Sequence, residues 1–241
     1  MLKVDGATVK IAGFTILRGL TLEVEIGRIV GLIGRNGAGK TTTLRTIMGL
    51  VDLQSGDVQL EGQSLVGLAP HVRAQRGIGY MPEDRRLIPA MTVEQNILLP
   101  AWARDIPNAD QRLQTIYKLM PEVKELASRG STQCSGGQQK LVALARSFMS
   151  GSKLLLLDEP FEGVAPALSQ RLVRAVKELA EAEQGVSVLV CESEFKWARL
   201  LAEKIYVIER GETTQETTPA AAPAHAVPDN FTTARASELT S

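Results

Sequence analysis

Aromatic side chains are scarce in this chain: they make up 4% of 241 residues, although 44% are hydrophobic. Its core must therefore be aliphatic, built from Leu, Ile, Val and Ala. The length suits one large domain, or one domain carrying an inserted subdomain. Cysteine is also sparse. Cys134 and Cys191 stand far apart and in no metal-ligand spacing, which leaves no disulfide scaffold and fits a reducing compartment. Two histidines, His71 and His225, are too few for a histidine-based metal site. No charge of one sign is in excess, since 27 Lys and Arg balance 27 Asp and Glu. That balance argues against nucleic acid as a partner held by bulk charge. No run approaches the ~18 to 20 apolar residues that span a bilayer, and the N-terminal MLKVDGATVK has no apolar signal core. A membrane role would have to pass through other chains.

What the chain does have is alternation of strands and helices. Leu2–Val4, Thr8–Ile11 and Leu20–Ile26 read as short strands, and Ile29–Ile33 as an apolar strand running into a glycine-rich loop. Helical spacing follows over Thr41–Leu50, then strands at Val58–Leu60 and Gly77–Met81. From Thr92 to Ser150 the pattern is mostly helical and sits between strands, as an inserted helical subdomain would. Leu154–Leu157, Val186–Val190 and Ile205–Ile208 are apolar strands, and Leu168–Ala180 carries a 3.6-residue apolar stripe. Such alternation predicts a parallel sheet covered on both faces. From Thr213 onward Thr, Ala and Pro dominate, with little apolar side chain to offset ordering entropy, so residues 213–241 are expected to be a disordered tail.

Two motifs carry chemistry. Gly34–Thr41 reads GRNGAGKT, which fits G-x-x-x-x-G-K-[ST] with a strand before it and a helix after it. Gly34, Gly37 and Gly39 let the backbone curl so that N–H groups of the loop, Arg35, Asn36 and Ala38 included, point at phosphate oxygens. The helix beginning near Lys40 adds its positive end. Lys40 brings a charge to the terminal phosphates, and the Thr41 hydroxyl, followed by Thr42, is placed for Mg2+. The second motif is LLLLDEP, Leu154–Pro160. A buried strand delivers Asp158 and Glu159 to the carboxyl end of a parallel sheet, where ligands bind. Asp158 suits the metal, and Glu159 suits a general base acting on water.

A third motif, CSGGQQ at Cys134–Gln139 with a helical KLVALARSFMS after it, resembles the ABC signature, with Cys134 at its usual Leu position. The order of phosphate loop, helical insert, signature and acidic strand is similar to that of ABC-transporter nucleotide-binding domains, over roughly residues 1–212. The resemblance implies an α/β P-loop NTPase fold with a mostly parallel core sheet, N-terminal antiparallel strands and a helical subdomain inserted at about 88–150. It implies ATP and Mg2+, and a head-to-tail dimer in which Ser135, Gly136, Gly137 and Gln138 cap the nucleotide on a partner's phosphate loop. Ser135 also reads as a plain helix N-cap, and both roles are compatible. GIGYMPEDRRLIPAMTVEQNI (77–97) and EPFEGVAP (159–166) resemble the ATPases of branched-chain amino-acid and related amide or urea importers. By that likeness Glu83 stands where Gln is usual and would face Mg2+ or water, and Ala165 stands at the usual Asp. Arg85 and Arg86 read equally as contacts to a membrane subunit or as solvated arginines.

The chain departs from the family in two further places. Counting back 23 residues from Gly34 puts Ile11, not an aromatic, under adenine, and Phe14 is three residues too late. The family's switch His falls on Ser193, with Glu194 beside it. Serine can donate a hydrogen bond but carries no charge, so two readings stand side by side: slow turnover at this site with a paralogous partner supplying the better one, or a serine that suffices in a homodimer. The function implied is the motor of an importer, peripheral on the cytoplasmic face of the inner membrane. It would work with transmembrane permease subunits, a second ATP-binding subunit and, indirectly, a substrate-binding protein. The alternative is a soluble ABC ATPase acting as an assembly factor or as a slowly hydrolysing regulator.

Overall fold

A computed structural model of the chain describes residues 1–181 and 185–217. Strands β1 (Leu2–Ile11) and β2 (Phe14–Val24) form a hairpin, and β4 (Ser55–Leu60) and β5 (Gln63–Ser64) extend it to an antiparallel sheet ordered β2-β1-β4-β5. In β1 the buried residues run Leu2, Val4, then Ala7, Val9. The change of phase falls at a register shift between Val4 and Ala7, where a bulge restores the apolar side to the core.

The central sheet takes β3 (Ile29–Ile33), β6 (Ile78–Met81), β7 (Leu154–Asp158), β8 (Ser187–Glu192), β9 (Lys204–Glu209) and β10 (Glu212–Thr217), in the order β10-β9-β3-β8-β7-β6. All its pairings are parallel except β9 with β10. Strands β3, β7 and β8 are buried along their whole length, as strands covered on both faces must be. One face packs against α1 (Lys40–Ile47) and the antiparallel sheet, through Leu44, Ile47, Leu22, Leu156 and Leu189. The other face packs against the helices that follow.

Those helices are α3 (Val93–Arg104), α4 (Ala109–Leu119), α5 (Pro121–Glu125) and α6 (Gly136–Ser150), all between β6 and β7, with α7 (Pro166–Glu181) and α8 (Phe195–Leu201) after it. Short α2 (Pro70–Gln75) precedes β6. Helix α3 starts at a capping box, where Thr92 Oγ1 accepts from the Gln95 N–H and Gln95 Oε1 accepts from the Thr92 N–H. None of the helices among the described residues is long and apolar enough to cross a membrane.

The sheet runs past the expected end of the domain. Residues 213–217, placed with the tail on composition, are the greater part of β10, which pairs antiparallel with β9 from Glu212↔Glu209 to Thr217↔Ile205. An edge strand needs only its backbone to pair, so a Thr- and Glu-rich sequence serves and shows no apolar signal. Thr213 also donates its hydroxyl to the Thr21 carbonyl at 2.9 Å. The remainder of the expected tail, 218–241, lies outside the described residues.

Candidate functional site

Sheet register brings three carboxyl strand ends together. Ile33 of β3 pairs with Glu192 of β8, and Asp158 of β7 pairs with Cys191 of β8. The phosphate loop, the Asp158–Glu159 turn and Ser193 therefore leave the sheet side by side.

The loop geometry requires glycine at two points. A Cβ on Gly34 would lie 2.5 Å from the Ile208 carbonyl oxygen, so only glycine passes β9 there. Gly39, the N-cap of α1, has φ 117 and no side chain to cap the helix, which leaves the first N–H groups of α1 for an anion. Arg35, Asn36 and Gly37 form the exposed tip, Ala38 and Gly39 are packed beneath, and Thr41 and Thr42 are half-buried on α1.

Lys40 is the centre of the site and is only 5% exposed. Its ammonium donates to the carbonyls of Gly34 at 2.7 Å and Arg35 at 3.2 Å, and to Ser193 Oγ at 2.9 Å. It also pairs with Glu159 Oε1 at 3.1 Å. The Ser193 hydroxyl lies 2.7 Å from Glu159 Oε1 and 2.8 Å from Asn36 Oδ1. It has one proton, and the carboxylate is the stronger acceptor. Serine at the switch position thus reaches both the lysine and the acid. Glu194, at the N-cap of α8, is exposed.

Glu159 has φ 47, in the left-handed region. Its N–H donates to the Cys191 carbonyl at 3.0 Å, and its carbonyl accepts from the buried Lys140 ammonium at 2.7 Å. Burial lowers the Lys140 pKa against the pull of Glu162 and Glu192. Glu192 is 2% exposed, and its Oε1 accepts from the Phe161 N–H at 3.2 Å. Burial pushes its carboxyl up to about 8; the Phe161 hydrogen bond opposes this and Glu159 adds to it.

Asp158 is fully buried. Its Oδ1 accepts from Thr41 Oγ1 at 3.2 Å, while Oδ2 has no hydrogen-bond partner. Burial raises its carboxyl to about 6; Thr41 opposes the rise, and the charges of Glu83 and Glu159 add to it. A buried oxygen without a partner, a neighbouring hydroxyl and a nearby carboxylate on exposed Glu83 make an all-oxygen set that fits Mg2+.

The signature turn lies elsewhere. Ser135 caps α6 by a capping box with Gln138, at 3.3 Å and 2.9 Å. Ser135 and Gly136 are exposed, and Gly137 and Gln138 half-buried. Among the described residues, the Ser135 and Gln138 side chains bond each other's backbone. Arg85 is tied inward, with Nη1 donating to Gln139 Oε1 at 3.0 Å, while Arg146 of α6 donates to the carbonyls of Arg85 and Arg86. The Arg86 side chain stays exposed beside Asp84.

Ile11 sits at the β1–β2 tip, paired with Phe14, and the two are 42% and 74% exposed. A cleft of about 630 Å3 beside the phosphate loop is lined instead by Thr15, Ile16, Arg18, Gly37, Glu209 and Arg210, among others. Counting residues back from Gly34 could not find Ile16, which lines the cleft together with its neighbour Thr15. Glu192 and Lys140 also escaped the sequence reading, since neither belongs to a motif.

Known proteins share this architecture. A family profile described as ABC transporter matches residues 17–162. The high-affinity branched-chain amino acid transport ATP-binding protein BraG of Pseudomonas aeruginosa is 35% identical over 221 residues, 92% of this chain and 94% of that protein. The lipopolysaccharide export system ATP-binding protein LptB of Escherichia coli is 32% identical over 209 residues, 86% of each chain. Among solved structures, a dimeric ATP-binding cassette in a post-hydrolysis state with ADP and Pi superposes with a TM-score of 0.81 at 25% identity, covering 91% of this chain and 99% of that one. A nucleotide-free ATP-binding cassette superposes with a TM-score of 0.77 at 25% identity, covering 90% and 91%. With these matches laid over the phosphate loop and acidic strand end, the chain belongs to the ABC transporter family, as one of its ATP-binding and ATP-hydrolysing subunits.

Proposed function

We propose that this chain drives import of branched-chain amino acids, or of related amides or urea, through separate permease subunits on the cytoplasmic face of the membrane. Two copies, or one copy and a paralogue, close around ATP. Each nucleotide lies between the phosphate loop of one subunit and the Ser135–Gln138 turn of the other. A substrate-binding protein would deliver the cargo to the permease. The likeness to BraG over nearly the full length supports this reading.

The observation that carries it is the convergence on Lys40. Two loop carbonyls, the Ser193 hydroxyl and the Glu159 carboxylate surround its ammonium. Phosphate oxygens compete for the same donor hydrogens, and when they win, Glu159 is released toward the attacking water. Glu159 takes the water's proton as the oxygen–phosphorus bond forms, and the bond to the leaving ADP oxygen breaks. Ser193 steadies the carboxylate through this exchange. Asp158, Thr41 and Glu83 would hold Mg2+, which neutralises phosphate charge when bound. Lys40 and the α1 N-terminus bind and orient the phosphates, and Ile16 or Ile11 gives the base an aliphatic surface.

Glu159→Gln tests the site. The variant should lose hydrolysis by about 1000-fold and accumulate an ATP-bound dimer, visible by analytical ultracentrifugation. Normal turnover would remove Glu159 from its role. The likeness to LptB favours a second reading, in which the same motor serves export. The complex with its permeases in proteoliposomes separates the two. Import predicts ATPase stimulation by a loaded binding protein; indifference to branched-chain amino acids, amides and urea favours export.

A further inference from the structure

Lys140 lies in the second turn of α6, five residues beyond Ser135, and is 3% exposed. A lysine ammonium is costly to bury unless paired and hydrogen-bonded. Here its short contact is the Glu159 carbonyl at 2.7 Å, with Glu162 at 3.8 Å behind it. Across the same turn the buried Glu192 carboxylate accepts from the Phe161 N–H, and the Glu159 N–H donates to β8. Residues 159–161 are thus gripped from α6, from the Glu192 side chain and from the β8 backbone. Glu159 needs that grip, because a non-glycine residue keeps a positive φ only where its surroundings over-determine it.

The helix that supplies Lys140 has other attachments. Its N-terminus is the exposed signature turn, and its Gln139 and Arg146 hold the loop of Arg85 and Arg86. Ser135 and Lys140 are only about 7.5 Å apart along a rigid helix axis. A shift of α6 on contact with a partner's nucleotide therefore reaches the Glu159 carbonyl without an intervening joint.

We propose that Lys140 is a positioning residue which couples closure on the signature turn to the placement of Glu159. It touches neither nucleotide nor water; it sets where the carboxylate of its own site stands once α6 is engaged. This rests on the reading of Glu159 as the general base and extends it.

Three variants test the coupling. Lys140→Met keeps the aliphatic stem and removes the donor. It should lower kcat about 10- to 100-fold, the penalty of a misplaced catalytic group, with KM for ATP within about 2-fold. In a Glu159→Gln background it should still form the ATP-bound dimer with unchanged affinity, so that closure survives while hydrolysis fails. Lys140→Arg, which restores a charged donor, should recover most of kcat. If Lys140→Met does not fold, Lys140→Met with Glu192→Gln takes its place under the same criteria, since the buried acid near the lost cation then cannot ionise. A kcat within 2-fold of the parent overturns the proposal. So does a loss of kcat matched by an equal loss of ATP-driven dimer, which would make Lys140 only a brace. Should Glu159→Gln alone hydrolyse ATP normally, the base assignment falls and Lys140 with it; a trapped Glu159→Gln dimer beside a fully active Lys140→Met overturns the Lys140 proposal alone.

Discussion

Around Lys40 the chain answers its own ammonium, whereas the signature turn is exposed and capped from within. Lys40 has two carbonyls, a hydroxyl and a carboxylate within hydrogen-bond reach. Ser135 and Gln138 answer each other's backbone and leave an exposed helix N-terminus. The first region is poised to exchange internal partners for phosphate. The second has exposed backbone donors beside a cap that bonds only within the turn. One chain therefore carries two unlike half-sites, and the difference is what a head-to-tail pair would use.

Replacing Lys40 by Ala should have the largest effect on this contrast. It removes the donor that phosphate would capture and strands Glu159 in a buried place. Affinity for ATP should fall by about 100-fold or more, near 3 kcal/mol, by isothermal titration. Unchanged affinity would mean that the closed half-site is not a binding site at all.

Ser135→Arg attacks the open half. A long charged side chain at Ser135 should abolish the ATP-bound dimer of the Glu159→Gln variant, by at least about 30-fold in dimer affinity. ATP binding by the single subunit should stay within about 2-fold. If both fell together, the two halves would belong to one pocket. Ser193→Ala sharpens the closed side. Lys40 and Glu159 keep each other, but the hydroxyl between them is lost, at about 1.5 to 3 kcal/mol for a hydrogen bond to charged groups. A kcat about 10-fold lower with little change in KM is expected by steady-state assay, and an unaltered kcat would make Ser193 a bystander.

The contrast also shows what a linear sequence carries. The phosphate loop was legible because its glycines answer local backbone demands, with φ 81 at Gly37 and φ 117 at Gly39. Asp158 and Glu159 were legible because four buried leucines force the chain to end a strand there. The parallel sheet and the helical stretch between β6 and β7 followed from the pattern of apolar residues, whereas the antiparallel N-terminal sheet came only from the family likeness. What escaped depends on neighbours distant in sequence. Ser193 was named through the family likeness, but its contacts with Lys40 and Glu159 exist only because β8 lies between β3 and β7. Lys140 was given no role, and its bond to the Glu159 carbonyl exists only once α6 is packed on the sheet. Strand β10 has no apolar residue to announce it, and the cleft is lined by residues of β2, the phosphate loop and the β9–β10 turn, which only the fold brings together.

The smallest effect, and one that separates the halves by pH, concerns Glu192. Its carboxyl titrates near 8 in the folded chain against an ordinary 4.5, chiefly because it is buried. The pKa is raised, so between those values the folded state holds a proton that the unfolded state has released. Stability contributed by this group is then present at low pH and declines as pH rises through the window. Lys140 works against the rise, whereas Glu159 and Glu194 work with it. Glu192→Gln keeps an oxygen for the Phe161 N–H and removes the ionisation. It should melt about 5 °C above the parent at pH 8.5 and within about 2 °C of it at pH 5, by scanning calorimetry. Ser135→Ala, on the open side, removes a cap worth about 1 kcal/mol and no titrating group, so its destabilisation should be equal at both values. A Glu192→Gln difference that did not grow with pH would mean that the acid is already neutralised in the fold, with Lys140 as its ion-pair partner.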